Sequence, residues 1–172
     1  MGKKKKHILI TGKPGTGKTT LIKRLASILP RAGGFYTEEI RHQGQRSGFK
    51  IVTLSGKEGI LAQKGWNSPF RIGSYGVKLE DLEKIGVGEI EKAIVSSEVI
   101  VIDEIGKMEL CSNKFQEVVI KAFESDKRVL AVIPVSPIPF LEKIKNRSDV
   151  VIFPLSYSNR ENVYQEIRKE LF

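Results

Sequence analysis

Cysteine and histidine are scarce in this chain of 172 residues: Cys111 stands alone, and there are two histidines. A lone cysteine excludes an internal disulfide framework and a cysteine-rich zinc site, and two histidines exclude a His-rich metal centre. A reducing cytoplasm is therefore the expected compartment. No apolar run approaches the roughly 18 residues of a membrane span. Only His7 to Thr11 separates the basic start from Gly12, against roughly 7–15 apolar residues in a signal-peptide core, so no leader is expected. Repeats and low-complexity segments are absent. Hydrophobic residues make up 40% and charged residues 28%, the balance of a globular rather than a disordered chain. Its length suits one domain spanning residues 1–172.

Positive charge is in excess, with 29 Lys+Arg against 20 Asp+Glu and a net +9. Such a field attracts polyanions, free nucleotides and nucleic acids alike, and says nothing about fold. The run Lys3 to Lys6 reads either as a phosphate contact or, more simply, as a solvated tail before the first strand.

From residue 98 onward the chain alternates short apolar runs with helical stretches. The runs are Val99–Ile102, Val129–Ile133 and Val150–Phe153, the β-branched pattern of parallel strands covered on both faces. Residues 114–125, 140–146 and 159–171 are helical in length or period, with Val163, Ile167 and Leu171 on one face. Ile8–Ile10 opens the chain as a strand, and residues 19–29 follow as its helix. This βαβ alternation predicts an α/β domain. Between Gly33 and Tyr75 the pattern changes. Glycines break short strand-like runs at 35–40, 49–54 and 59–62, which predicts an antiparallel hairpin insertion at about residues 42–75. Residues 80–97 read as helix interrupted near Gly86 and Gly88.

The strongest motif is Gly12-Lys13-Pro14-Gly15-Thr16-Gly17-Lys18-Thr19, which meets G-x-x-x-x-G-K-[ST] at every required position. Glycines let successive backbone N–H groups turn inward as an anion nest, and the helix that follows adds its N-terminal partial charge. Lys18 suits the β- and γ-phosphates, and the Thr19 hydroxyl suits Mg²⁺. Nucleotide contacts are expected from Gly12 through Thr19 and from the adjacent Thr20. A second carboxylate-bearing strand is then required, and Val99–Ile102 ends in Asp103, the expected Mg²⁺ carboxylate. Glu104, one step further, is placed to take a proton from an attacking water. The expected strand order is the one from residue 35, then 99, 129, 8 and 150. Ser136, just past the central strand, is a candidate γ-phosphate sensor, although a serine between prolines also suits a plain turn.

Together, Gly12–Thr19, the segment Gly34–Arg41 and the string Val101-Ile102-Asp103-Glu104-Ile105-Gly106-Lys107-Met108-Glu109-Leu110 resemble the thermophile nucleoside-triphosphatase family, which includes a human cancer-related relative. Gly73–Val77 and Asn159-Arg160 look like that family too. The resemblance spans nearly the whole chain. It implies a RecA-like P-loop NTPase fold: a mainly parallel sheet flanked by helices. It also implies slow, Mg²⁺-dependent hydrolysis of ATP, GTP, CTP, UTP and TTP with little base selectivity. Ser74 departs from the family pattern, where lysine is expected.

Base tolerance agrees with the absence of a guanine code, since Asn113-Lys114 lacks the aspartate of Asn-Lys-x-Asp. Arg160 and Asn159 are candidate base or ribose contacts, with helix capping by Asn159 as the simpler reading. Glu38, Glu39 and Arg41 fall where a parallel strand would end at the ligand crevice. Lys107 is a candidate charge for the leaving group. Trp66, Phe70 and Tyr75 suit either base stacking or packing of the insertion. The expected protein is a monomeric nucleoside-triphosphatase with Lys18 and Glu104 as catalytic residues and Thr19 and Asp103 as metal ligands. A small nucleotide or nucleoside kinase, and a nucleotide switch associated with nucleic acid, are the alternatives.

Overall fold

Five strands carry the centre of the molecule, and their residues explain why. In the computed structural model, which describes residues 6–172, β1 (His7–Thr11), β7 (Val99–Asp103) and β8 (Arg128–Ile133) are almost wholly buried. Strands hidden on both faces need side chains that lose nothing by leaving water. Alternate residues of β8 feed different cores: Val129, Ala131 and Ile133 point to one, Leu130 and Val132 to the other.

Among the described residues the sheet has nine strands, with β2 spanning Ala32–His42, β3 Gln45–Thr53, β4 Glu58–Lys64, β5 Arg71–Ile72, β6 Tyr75–Val77 and β9 Val150–Pro154. Their order is β5-β6-β4-β3-β2-β7-β8-β1-β9. Its parallel part, β2-β7-β8-β1-β9, is the order expected from the sequence. Helix α1 (Lys18–Ser27) follows β1. Helix α4 (Asn113–Glu124) buries Phe115, Val118, Val119, Ala122 and Phe123, a single helical face. Its start is capped by the Ser112 hydroxyl, which accepts the Phe115 N–H at 3.1 Å. Helices α5 (Pro139–Lys145) and α6 (Arg160–Leu171) complete the alternation.

Two expectations need correction. Antiparallel structure begins inside β2, before residue 42. Ala32–Phe35 pair with β7, while Phe35–His42 pair with β3 (Gln45–Thr53). The hairpins, with β4 (Glu58–Lys64), β5 (Arg71–Ile72) and β6 (Tyr75–Val77), therefore extend the same sheet to Val77. Nor is the next helix interrupted at its glycines. It runs from α2 (Leu79–Asp81) through a widened π turn (Leu82–Val87) into α3 (Gly88–Ser96). Gly86 is buried beneath the Phe35 ring, 3.5 Å from where a Cβ would stand, so tertiary contact offsets its poor helix propensity.

Of the lysine run, Lys3, Lys4 and Lys5 lie outside the described residues. The Lys6 ammonium donates to the Ser125 carbonyl at 2.5 Å. Among the described residues no helix is long and apolar enough to cross a membrane.

Candidate active site

The loop between β1 and α1 is shaped by its glycines. Gly15 (φ 81°) and Gly17 (φ 91°) take left-handed conformations that other residues adopt only with strain. A Cβ on Gly12 would stand 2.7 Å from the Leu155 carbonyl oxygen, so the loop also passes too close to its neighbour for any larger residue. The Thr16 hydroxyl donates to the Lys13 carbonyl at 2.9 Å and closes the turn. Helix α1 then starts with no capping side chain and no acidic residue in its first turn. Its first N–H groups are left for an anion. The Lys18 ammonium folds over the loop, donating to the carbonyls of Gly12 (2.5 Å) and Lys13 (3.1 Å).

Facing this loop is the end of β7. Asp103 is only 2% exposed, and its Oδ2 has no hydrogen-bond partner. Burial raises its pKa to about 7, against the Thr19 hydrogen bond and the positive charges of Lys18 and Lys23, which lower it. A buried carboxylate oxygen without a partner is costly unless something else satisfies it. The chemistry fits a hard divalent cation, with the Thr19 hydroxyl beside it. Among the described residues no group of three His, Cys, Asp or Glu could hold a metal by itself, so phosphate oxygens would have to complete the shell.

Glu104 lines the same cavity as the loop. Burial raises its pKa, and Lys18 pulls it back. Its carboxylate lies against Gly106: a Cβ there would stand 2.3 Å from Glu104 Oε1. Beneath this turn sits Glu109, 2% exposed, whose Oε2 accepts the Gly106 N–H at 3.1 Å. Burial, then the nearby Glu104, push its pKa well above the carboxylate range. Three acids thus converge opposite the lysine-bearing loop. Glu109 lies within the Val101–Leu110 string, but nothing local marks it as a buried acid in the cavity lining, because its burial comes from the fold.

The cavity, of about 670 Å³, includes Gly12, Pro14, Gly15, Gly17, Lys18, Thr19, Thr20, Asp103 and Glu104 among its lining residues. Glu38, Glu39, Lys107 and Ser136 line it as well. Lys13 and Thr16 belong to the loop but not to the lining. Arg160 lies outside it, its guanidinium over the Tyr157 ring (4.7 Å) and 3.8 Å from where a Cβ on Gly17 would be. Asn159 does not line the cavity, and although it holds the N-cap position of α6 its side chain makes no capping bond. Its side chain instead accepts the Ser156 N–H at 2.8 Å and donates to the Pro154 carbonyl at 3.0 Å.

Of the three aromatics, Tyr75 packs on Phe49 at 5.3 Å, and the Lys78 ammonium covers Trp66 at 3.7 Å. Neither these two nor Phe70 line the cavity. Ser74 sits in the β5–β6 turn, away from it. The Cys111 thiol donates to the Lys107 carbonyl at 3.4 Å.

Comparison with known proteins agrees with this fold. A profile of the family described as NTPase matches residues 7–168. The nucleoside-triphosphatase THEP1 of Thermotoga sp. strain RQ2 is 60% identical over 160 residues, covering 93% of this chain and 92% of that protein. The crystal structure of THEP1 from the hyperthermophile Aquifex aeolicus superposes with a TM-score of 0.87 at 38% identity, covering 94% of this chain and 96% of that one. The solution structure of a human cancer-related nucleoside triphosphatase gives 0.81 at 38% identity, covering 96% and 97%. With a P-loop NTPase fold and relatives matched over nearly their full length, the chain belongs to this NTPase family.

Proposed function

We propose that this chain, a nucleoside-triphosphatase, cleaves the terminal phosphoanhydride in the cavity between the Gly12–Thr19 loop and Asp103–Glu104. The observation that carries this reading is the buried, unpartnered Asp103 Oδ2 set against a helix N-terminus without a capping side chain. The phosphates would lie along the loop N–H groups from Gly12 to Thr20. Lys18 would leave its loop carbonyls for the β- and γ-phosphates, exchanging neutral acceptors for charged ones. Asp103 and Thr19 would hold Mg²⁺, which when bound neutralises phosphate charge.

Glu104 would accept the proton of the attacking water. Its raised pKa makes it a better base than an exposed carboxylate. Most of the acceleration would come from positioning and charge neutralisation, since phosphoryl transfer requires little covalent work from the protein. Slow turnover would accord with the surroundings. Arg46, the arginine among the described lining residues, is paired with Glu39 at 2.8 Å, so it would have to leave that partner to act on the transition state. Base tolerance follows from a cavity that encloses the phosphate end, with Arg160 and Tyr157 outside it as nonselective contacts for the base. A monomer working in the cytoplasm completes the reading.

The test is Glu104→Gln, assayed for phosphate release from ATP, GTP, CTP, UTP and TTP with and without Mg²⁺. The variant should bind Mg²⁺·ATP as the parent does and lose roughly 10²–10⁴-fold in turnover, the usual contribution of a general base. Parental turnover in the variant would remove Glu104 from that role.

A further inference from the structure

The cavity is not lined by polar and charged groups alone. Beyond Glu104 it continues into an annex walled by Phe49 of β3, Leu61 of β4 and Ile72 of β5, with Met108 on the side of the Glu104 turn. Water at a terminal phosphorus needs no apolar wall. A phosphate chain along Gly12–Thr20 leaves these four side chains untouched, and base contacts at Arg160 would lie outside the cavity altogether. The annex is therefore surplus to a phosphate chain on that loop, and the strand order sets it on the far side of β7 from β1, which leads into the loop. At about 670 Å³ the whole cavity falls within the roughly 300–1,000 Å³ of pockets that enclose small organic ligands.

The charges around the annex indicate what it accepts. Glu38 is held by Lys23 at 2.5 Å and Lys50 at 3.4 Å. Glu39 is held by Arg41 at 2.9 Å and Arg46 at 2.8 Å. A cationic ligand would find these carboxylates already neutralised, and an anionic one would add to the phosphate charge. The Phe49 ring packs between Tyr75 (5.3 Å) and the Arg46 guanidinium (5.4 Å).

We infer that the annex binds a second substrate, a small uncharged alcohol with an apolar or aromatic body, whose hydroxyl takes the terminal phosphoryl group in place of water. This rests on the reading of Glu104 and the loop given above. The hydroxyl oxygen forms a bond to the γ-phosphorus, and the bond from that phosphorus to the β–γ bridging oxygen breaks. The nucleoside diphosphate leaves with the electron pair. The hydroxyl proton passes to the Glu104 carboxylate and then to solvent, and the product is a phosphate monoester. Hydrolysis is the same step with water in the annex.

Partition of the phosphoryl group tests this. The full chain is incubated with Mg²⁺ and ATP in equal molarities of 2-phenylethanol, benzyl alcohol, ethanol or glycerol, and ³¹P NMR measures monoester against inorganic phosphate. The ratio for 2-phenylethanol should exceed that for glycerol by about tenfold or more, the discrimination that apolar contact supplies. In Phe49→Ala, and independently in Ile72→Ala should the first not fold, that preference should fall to within about twofold. Because the ratio is internal to each reaction, a general loss of activity cancels. Phosphate without monoester in every alcohol overturns the second-substrate site and leaves the hydrolase intact. Equal ratios for 2-phenylethanol and glycerol, or an undiminished preference in the variants, overturn recognition by the annex. No phosphate even without alcohol overturns the reading of the active site itself.

Discussion

Replacing Asp103 with asparagine should make the metal-free protein more stable, not less. Burial raises the Asp103 pKa from 3.8 to about 7, so the folded state keeps a proton that the unfolded chain gives up. The sign follows from linkage. Below the unfolded pKa both states are protonated and the group costs nothing. As pH rises from about 4 to about 7 the unfolded state gains, and native stability is lost. About three pKa units at 1.36 kcal/mol each give a cost near 4 kcal/mol by pH 8, an upper value for one group. Asparagine cannot ionise, and its carbonyl oxygen can still accept the Thr19 hydroxyl. In urea unfolding with EDTA, Asp103→Asn should match the parent at pH 4 and exceed it by up to about 4 kcal/mol at pH 8. In a chain of this size that is roughly 10 °C in Tm. Adding Mg²⁺ and ATP should then stabilise the parent far more than the variant, because only the parent has the carboxylate proposed to hold the cation. Equal stability differences at both pH values, or a variant weaker at pH 8, would refute the account of Asp103 as a destabilising group kept for function.

His7 has the opposite linkage. Its Nδ1 accepts the Val129 N–H at 3.0 Å and its Nε2 faces the Phe123 carbonyl at 3.0 Å. Burial first, against Asp149, lowers its pKa from 6.5 to about 4. The stability of the neutral ring is whole above pH 6.5 and is lost as pH falls toward 4, by about 3 kcal/mol. His7→Gln should flatten that limb of the pH–stability curve, and an unchanged slope would contradict it. At Glu109, leucine should cost about 1–3 kcal/mol by leaving the Gly106 N–H unsatisfied. Glutamine, which keeps an acceptor and removes a buried acid, should raise the melting temperature near neutral pH; melting curves of the two variants decide. Gly106→Ala should displace the Glu104 carboxylate and lower phosphate release roughly tenfold or more while leaving the melting temperature and ATP affinity nearly unchanged. Parental turnover in that variant would show that Glu104 does not need its position over Gly106.

Which strands lie at the centre, and where phosphate would bind, was legible in the chain before any folding. Runs such as Val99–Ile102 and Val129–Ile133 can be buried only on both faces, which forces a parallel sheet with helices on either side. The Gly12–Thr19 spacing encodes its own backbone shape through local sterics. Asp103 and Glu104 were readable because they terminate such a strand.

Long-range packing decided the rest. Nothing local says that β2 pairs with β7 for its first residues and with β3 thereafter, and that dual pairing turns the hairpins into an extension of one sheet. It is also what brings Phe49, Leu61 and Ile72, which read as ordinary strand residues, to the cavity wall. The helix through Gly86 stays continuous because Phe35, far away in sequence, packs on it. Glu109 becomes a buried acid only because the turn after Glu104 folds back over it. Patterns of hydrogen bonding and alternation act over a few residues and are written in the sequence. Burial, and the pKa shifts it causes, depend on what arrives from elsewhere in the chain.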